Sequence, residues 1–188
     1  MSFNKKNNLK KKYSGKFIDI YSWKEKMYDG KVGYFETAVT ADGVQILAIK
    51  DNKICIPYET QPSMNNWVHG CFGGRIDNGE TPLQAAKREL KEESGFVSND
   101  WKLFKVFNKD GKIKWNCHFY IAKNCIKKYD QSLDNGEKIK VIECNWNEFL
   151  KYVTDFKFRF HYLSQYILKL HYDKKLTEFK NKLFSTPL

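Results

Sequence analysis

Residues 74–96 read GRIDNGETPLQAAKRELKEESGF, and this stretch decides how the rest of the chain is interpreted. It fits the pattern G-x(5)-E-x(7)-R-E-U-x-E-E-x-G-U at each fixed position, where U is a bulky apolar residue. The pattern specifies nine residues over 23 positions, two of them glycines and five of them charged. Chance agreement is therefore much rarer than for a single glycine motif.

The middle of the stretch predicts a helix over residues 82–94. Thr81 is a candidate N-cap, Pro82 suits the first helical position because it has no N–H to satisfy, and Gln84 completes a capping box. Gly95 is the residue type that ends helices in the left-handed conformation. Apolar side chains recur at helical spacing and predict one buried stripe: Leu83, Ala86 and Leu90.

Three carboxylates crowd another face of this helix. Glu89, Glu92 and Glu93 lie within about 100° of one another around the axis. Like charges at such spacings destabilise a helix by roughly 0.2–0.5 kcal/mol per pair, so the patch requires a counter-charge. Carboxylates joined by phosphate oxygens are the ligands that Mg²⁺ takes in proteins. A solvated acidic face is the alternative for an arbitrary helix, and the fixed glycine frame favours the metal site here.

With these residues the stretch resembles the Nudix box. Three flanking stretches resemble ADP-ribose and other nucleoside-diphosphate-sugar pyrophosphatases: FETAVTADGVQILAIKDNKICIPYETQ at 35–61, WNCHFYIAKNC at 115–125 and LDNGEKI at 133–139. The likeness covers roughly residues 30–155. The chain departs from the group after Gln61, where Pro62 and Ser63 stand in place of a segment with an arginine, and before the box, where Gly70 and Phe72 replace the usual Glu and Pro.

The resemblance implies a metal-dependent site. The implied metal ligands are Glu89, Glu93, Glu92 directly or through water, and the backbone carbonyl of Gly73. Arg88 would orient the carboxylates by ion pairing, and Glu80 would assist without binding the metal directly. Mg²⁺ is the expected metal, with Mn²⁺ as an alternative.

The implied reaction is attack of a metal-activated water on one phosphorus of a diphosphate bridge, with a nucleoside monophosphate as one product. In the nucleotide-sugar group the catalytic base, or an extra metal ligand, comes from a loop well downstream of the box. Glu137 is the preferred candidate because it stands at the start of a predicted strand, 138–144. Asp134 and Glu143 are alternatives, and solvated acids in a hairpin loop would produce the same sequence.

Four residues around the box are candidates for substrate binding: Gln61, Trp67, Phe72 and Arg75. Trp67 and Phe72 would offer an aromatic surface on which a nucleobase stacks. Core packing is the alternative for any single aromatic residue, because aromatic side chains dominate core burial.

The whole chain predicts an α/β fold, the Nudix α/β/α sandwich with a mixed sheet and a catalytic loop-helix-loop. Strands are predicted at 33–40, 43–50, 53–58, 101–108, 112–122 and 138–144, followed by a helix over 147–153 capped by Asn147. A longer C-terminal helix is predicted from one apolar face: Tyr162, Leu163, Tyr166, Ile167 and Leu170. We expect a single domain over 16–188, with its core at about 30–155 and a helical extension at about 156–188, after a flexible basic N-terminus at 1–15.

Charge and cysteine content limit the remaining choices. The net charge is +11, and a basic field speeds capture of anionic small molecules or holds RNA. The five cysteines show no Cys-x-x-Cys pair, so we expect reduced thiols. The sequence has no apolar run long enough to span a membrane and a start too polar for a secretory signal, which predicts a cytoplasmic protein.

Three functions remain open at this point. The flanking sequence favours hydrolysis of ADP-ribose or a similar nucleotide sugar. The charge alone favours an RNA 5′-pyrophosphohydrolase or a dinucleoside polyphosphate hydrolase. A non-catalytic nucleotide sensor is the third, although its carboxylates would be expected to be lost. By analogy with the nucleotide-sugar group, a homodimer is also expected, with residues 13–31 reaching the partner's site.

Overall fold

The strands of the chain build one curled, mixed sheet in the computed structural model, which describes residues 9–185. Within these residues the strands are β1 Lys10–Ser14, β2 Ile18–Lys26, β3 Val32–Thr40, β4 Gly43–Lys50, β5 Lys53–Thr60, β6 Val68–His69, β7 Phe96–Val97, β8 Asp100–Lys109, β9 Ile113–Lys123, β10 Ile126–Lys127 and β11 Lys138–Cys144. The sheet order is β1-β2-β3-β9-β4-β5-β11, with β6 on β5 and β8 on β9, while β7 and β10 form a separate pair.

Strand β9 organises the centre of the sheet. β3 and β4 lie one after the other along it and run parallel to it, whereas β8 pairs with it antiparallel. Parallel neighbours need a long crossover connection. Between β4 and β9 that connection contains the box and its helix, so the topology places the box across one face of the sheet.

The helices cover both faces of the sheet. They are α1 Pro82–Ser94, α2 Trp146–Val153, α3 His161–Tyr172 and α4 Leu176–Phe184. Along β4, Ile46 packs into the cluster beneath α1, whereas Leu47 packs into the cluster that α2, α3 and α4 cover. A strand buried on both faces reads as a continuous apolar run, as ILAI at 46–49 does here. The predicted α/β/α sandwich is confirmed.

Helix α1 begins and ends where its capping residues predict. The Thr81 hydroxyl accepts a hydrogen bond from the Gln84 amide, and the Gln84 side chain accepts one from the Thr81 amide at 2.8 Å. Pro82 opens the helix and Gly95 closes it with φ 70°. Such caps stabilise a helix by about 1 kcal/mol each, and here they fix the register of the box carboxylates.

Two expectations about the remaining elements are wrong, and one helix was not predicted. The predicted flexible N-terminus at 1–15 extends too far, because Lys10–Ser14 form β1 and pair with β2. Residues 1–8 lie outside the described part of the chain. Helix α2 is capped by Asn145, not Asn147, because the Asn145 side chain accepts hydrogen bonds from the backbone amides of Asn147 and Glu148. The predicted C-terminal helix is confirmed as α3, whereas α4, which begins after Lys174 at φ 58°, was not predicted.

Two features of composition also have structural counterparts. All five cysteines are free and buried, which confirms the expected thiols. Within residues 9–185, no helix combines the length and the apolar character that crossing a membrane requires.

Candidate active site

A cleft of about 440 Å³ opens between the box and the loop that precedes β11. Six carboxylates of the described residues line it: Asp77, Glu89, Glu92, Glu93, Asp134 and Glu137. Three arginines line it as well: Arg75, Arg88 and Arg159. The excess of acids makes the cleft a site for cations, and the arginines add groups that suit phosphate.

Arg88 holds the exposed edge of the carboxylate cluster. Its guanidinium donates to both oxygens of Glu80, at 2.8 and 3.0 Å, and to Glu89 at 2.8 Å and Glu92 at 3.1 Å. It also donates to the backbone carbonyl of Arg75 at 3.0 Å. The Arg88 contact lowers the pKa of Glu80 to about 2. One arginine therefore ties the loop of the box to its helix, and the orienting role of Arg88 in catalysis stays a prediction.

Glu89 and Glu93 are the buried members of the cluster. Burial is the largest cause that raises the pKa of Glu89, to about 7, with Glu92 and Glu137 raising it further and Arg88 opposing. Glu93 is 6% exposed, and burial raises its pKa well above the ordinary value. Within the described residues no lysine or arginine forms an ion pair with Glu93. Its Oε2 accepts from the Gly73 amide at 2.7 Å.

Two glycines allow the box loop to lie directly against strand β4 and helix α1. A Cβ at Gly73 would overlap the carbonyl of Val44, and Gly73 has φ 145°, a conformation that side chains disfavour. A Cβ at Gly74 would overlap the carboxylate of Glu89. The Val44 amide donates to the Gly74 carbonyl at 2.9 Å, which holds the loop against β4. Metal binding by the Gly73 carbonyl stays a prediction.

The opposite wall of the cleft contains the downstream carboxylate. Glu137 lines the cleft, and its Oε1 accepts from the Gln61 side chain at 3.0 Å. Burial, with Asp134 and Glu59 adding to it, raises the pKa of Glu137. Asp134 also lines the cleft, and its carbonyl accepts from the Glu137 amide at 3.0 Å. The structure therefore brings Glu137 to the carboxylates of the box.

Glu143, the third candidate, is not brought to the cleft. Its carboxylate ion-pairs with Lys50 at 3.1 Å and with Lys53 at 3.9 Å, on the strands β4 and β5. Glu143 lies near the end of β11, six residues beyond Glu137, which at about 3.3 Å per residue is roughly 20 Å along the chain. The alternative assignment to Glu143 is wrong because this carboxylate is engaged elsewhere.

The candidate substrate residues divide into two pairs. Gln61 and Arg75 line the cleft, and the Arg75 guanidinium also lies over the ring of Phe17, 4.6 Å from its centroid. Phe72 as a nucleobase platform is wrong, because its ring is fully buried in the cluster beneath α1. Trp67 is not among the described residues that line the cleft; it packs against Tyr58 with ring centroids 5.2 Å apart.

Arg159 is the functional candidate that the sequence analysis missed. It lies between α2 and α3, just beyond the residues 30–155 on which the sequence resemblance was based, and its Nη1 contacts the buried carboxylate of Glu59 at 2.7 Å. Its backbone amide donates to the His69 carbonyl at 2.8 Å, which fixes its position. Composition did contain a signal. The chain has 33 lysines and arginines, of which only Arg75, Arg88 and Arg159 are arginines, and all three line the one cleft.

The donor set fits a hard divalent cation. Among residues 9–185, no three His, Cys, Asp or Glu side chains form a ready-made metal site, and Arg88 contacts both Glu89 and Glu92. Glu93, however, is a buried carboxylate that lacks a cation in the described residues. Burying an ionised carboxylate is costly unless a counter-charge is present, and oxygen ligands of this kind suit Mg²⁺ and Mn²⁺.

The profile of the NUDIX domain matches residues 36–164, which include the box, Glu137 and Arg159. The chain belongs to the Nudix family. It is therefore a Nudix pyrophosphohydrolase, and its family relatives generally use a divalent metal.

Similar proteins agree with the Nudix assignment. An ADP-ribose pyrophosphatase of Bacillus subtilis (strain 168) is 27% identical over 146 residues, which are 75% of this chain and 78% of that protein. A methanol dehydrogenase activator of Bacillus methanolicus is 26% identical over 147 residues, 76% of this chain and 79% of that protein. The crystal structure of an ADP compounds hydrolase superposes with a TM-score of 0.72 at 19% identity, covering 89% of this chain and 94% of that one. The likeness to ADP-ribose pyrophosphatases expected from the flanking sequence is confirmed.

Proposed function

We propose that this Nudix protein hydrolyses the diphosphate bond of ADP-ribose, or of a closely related nucleoside-diphosphate sugar, with Mg²⁺. The observation that carries the proposal is the convergence in one cleft of the buried Glu93, the largely buried Glu89, the facing carboxylate Glu137 and every arginine of the chain. A diphosphate carries negative charge, so it needs both the metal and the arginines. The ADP-ribose pyrophosphatase of B. subtilis supports this choice of substrate.

The residues that would hold the metal are Glu89 and Glu93, with Glu92 at the exposed edge. Bound Mg²⁺ would lower the pKa of a water and neutralise charge on the bridging oxygen. Arg88 keeps Glu89 and Glu92 in position through the contacts described above. Gly73 keeps Glu93 in position, because its backbone amide donates a hydrogen bond to Oε2 of Glu93. The other carboxylate oxygen, Oε1, would then be available to the metal.

Glu137 is the proposed general base. Gln61 holds its Oε1 at 3.0 Å, which orients the carboxylate on the wall facing the box. Its raised pKa makes it a better proton acceptor near neutral pH than an ordinary carboxylate. As the water oxygen bonds to phosphorus, its proton passes to Glu137 and the bridging P–O bond breaks. For ADP-ribose the products are AMP and ribose 5-phosphate.

A second candidate function follows from the basic N-terminal strands. A pocket of about 750 Å³ lies on β1, β2 and β3, and four lysines line it: Lys10, Lys12, Lys24 and Lys112. Such a surface attracts a polyanion, as RNA is, in a salt-dependent way. It favours removal of pyrophosphate from a 5′-triphosphorylated RNA as the alternative activity. The same strands are the candidates for a homodimer interface, which remains a prediction.

Product analysis on a substrate panel tests the proposal. Release of nucleoside monophosphate would be measured with Mg²⁺ for ADP-ribose, other nucleotide sugars, NADH, dinucleoside polyphosphates and 5′-triphosphorylated RNA. We expect the highest kcat/KM for ADP-ribose or another nucleotide sugar, and no turnover in EDTA. Preference for RNA or polyphosphates would overturn the proposed substrate. Turnover of none of them would leave a nucleotide sensor as the better description.

A further inference from the structure

A second pocket adjoins the catalytic cleft and contains none of the box carboxylates. Its volume is about 410 Å³, and it lies between two loops, 61–68 after β5 and 156–161 between α2 and α3. Gln61 and Arg159 line both the pocket and the cleft. The two spaces are therefore neighbours that meet at these two residues.

The two spaces differ in chemistry. The cleft is lined by six carboxylates, whereas none of the described residues that line the pocket carries one. The ring of Phe156 is 98% exposed at its rim. Met64 and Val68 add apolar surface, and Asn66 adds an amide that both donates and accepts. Lys157, Arg159 and His161 complete the lining. An aromatic face beside neutral hydrogen-bonding groups is a combination that recognises nucleobases, and the two cations suit the phosphate of a nucleotide.

Arg159 stands at the junction of the two spaces. Its side chain is half exposed, and the buried Glu59 carboxylate anchors it at 2.7 Å. A guanidinium has five N–H donors in a planar fork, so one anchored edge leaves donors for a phosphate. Arg88, by contrast, is occupied by three carboxylates of the box.

We propose that this pocket binds the nucleobase of the substrate by stacking on Phe156, and that Arg159 binds the diphosphate where the pocket meets the cleft. The assignment rests on the proposed function, because it requires a substrate with a nucleoside diphosphate. It gives the base a site that neither Phe72 nor Trp67 provides. Arg159 is then a positioning residue for the substrate, supplied by the C-terminal part of the chain.

Binding of AMP and of ribose 5-phosphate in EDTA tests the pocket without requiring turnover. Isothermal titration calorimetry would compare the full-length wild type with Phe156→Ala, with Phe156→Tyr and with Tyr172→Ala as the matched control. Tyr172 is 87% exposed at the end of α3. We expect Phe156→Ala to weaken AMP binding roughly tenfold and to leave ribose 5-phosphate binding unchanged. Phe156→Tyr should retain AMP affinity, and Tyr172→Ala should change neither.

A second variant tests the junction. Arg159→Ala should weaken both ligands, because each has a phosphate, and it should raise KM for ADP-ribose more than it lowers kcat. Failure of AMP to bind the wild type, or equal AMP affinity in wild type and Phe156→Ala, would overturn the pocket assignment.

The outcomes for the two proposals are distinguishable. If AMP binding depends on Phe156 but ADP-ribose is not hydrolysed, the pocket stands and the proposed substrate falls. If ADP-ribose is hydrolysed with the same KM by the wild type and Phe156→Ala, the substrate stands and the pocket assignment falls.

Discussion

The two walls of the catalytic cleft are built in different ways. One wall is a single continuous stretch, the box loop and α1, whose side chains are held by caps, glycine contacts and the Arg88 ion pairs. The other wall brings together residues from three separate loops: Gln61, Glu137 and Arg159. The local wall carries the proposed metal ligands, and the assembled wall carries the candidate base and the proposed contacts to substrate. The reaction type is therefore encoded locally, whereas the substrate preference depends on tertiary structure.

The largest effect is expected on the local wall. Glu93→Gln keeps the shape of a buried side chain and removes the charge that a metal requires, so kcat should fall by about a thousandfold, from the loss of about 4 kcal/mol of transition-state stabilisation. Steady-state kinetics with Mg²⁺ would measure it.

The same variant distinguishes a metal ligand from a structural residue. Without metal, Glu93→Gln should be at least as stable as the wild type, because an amide costs less to bury than a carboxylate. A large drop in the melting temperature in EDTA would mean that Glu93 has a structural role instead.

The next effect tests the assembled wall. Glu137→Gln keeps a group that Gln61 can contact and removes the proton acceptor, so kcat should fall roughly 100-fold or more. The matched control is Glu143→Gln, which changes a carboxylate outside the cleft and should leave kcat unchanged. Equal kinetics for the two variants would remove Glu137 from the mechanism.

A smaller effect is expected in the pH dependence of the unfolding free energy, through Glu89 of the local wall. The pKa of Glu89 is about 7 in the folded chain and 4.5 when unperturbed, so the folded state binds more protons between these values. Its contribution to stability is therefore full below about pH 4.5 and is lost as pH rises through 7, by on the order of 1–3 kcal/mol. Urea unfolding in EDTA at pH 5 and pH 8 would show a smaller difference in Glu89→Gln than in the wild type. An identical difference in both proteins would contradict the shift.

The smallest effect concerns Trp67. It packs on Tyr58 beside Lys140, away from the cleft, so Trp67→Leu should leave KM for ADP-ribose unchanged. A clear rise in KM would show that Trp67 contacts the substrate and belongs to the assembled wall.

The sequence predicts the local wall well because its signals are short in range. The capping box from Thr81 to Gln84, the glycine at the end of α1 and the spacing of the carboxylates all act within one or two turns. The central strands were also predictable, because burial on both faces leaves continuous apolar runs.

The assembled wall could not be predicted in the same way. Arg159 meets Glu59 across 100 residues of chain, and nothing near either residue indicates the pair. Phe72 and Trp67 looked like substrate contacts because composition does not reveal which face of a loop is buried. Strands β1 and β2 were not predicted because all five residues of β1 and four of the nine residues of β2 are exposed, which weakens the apolar alternation.

The concentration of arginine in the cleft makes the site directly observable by spectroscopy. A chain labelled with ¹⁵N only in arginine would give guanidinium signals from three side chains, and each of these lies in the catalytic cleft. One would report on the carboxylate cluster of the box through Arg88, and another on the boundary with the second pocket through Arg159. The active site can thus be followed through metal and ligand titrations without any introduced probe.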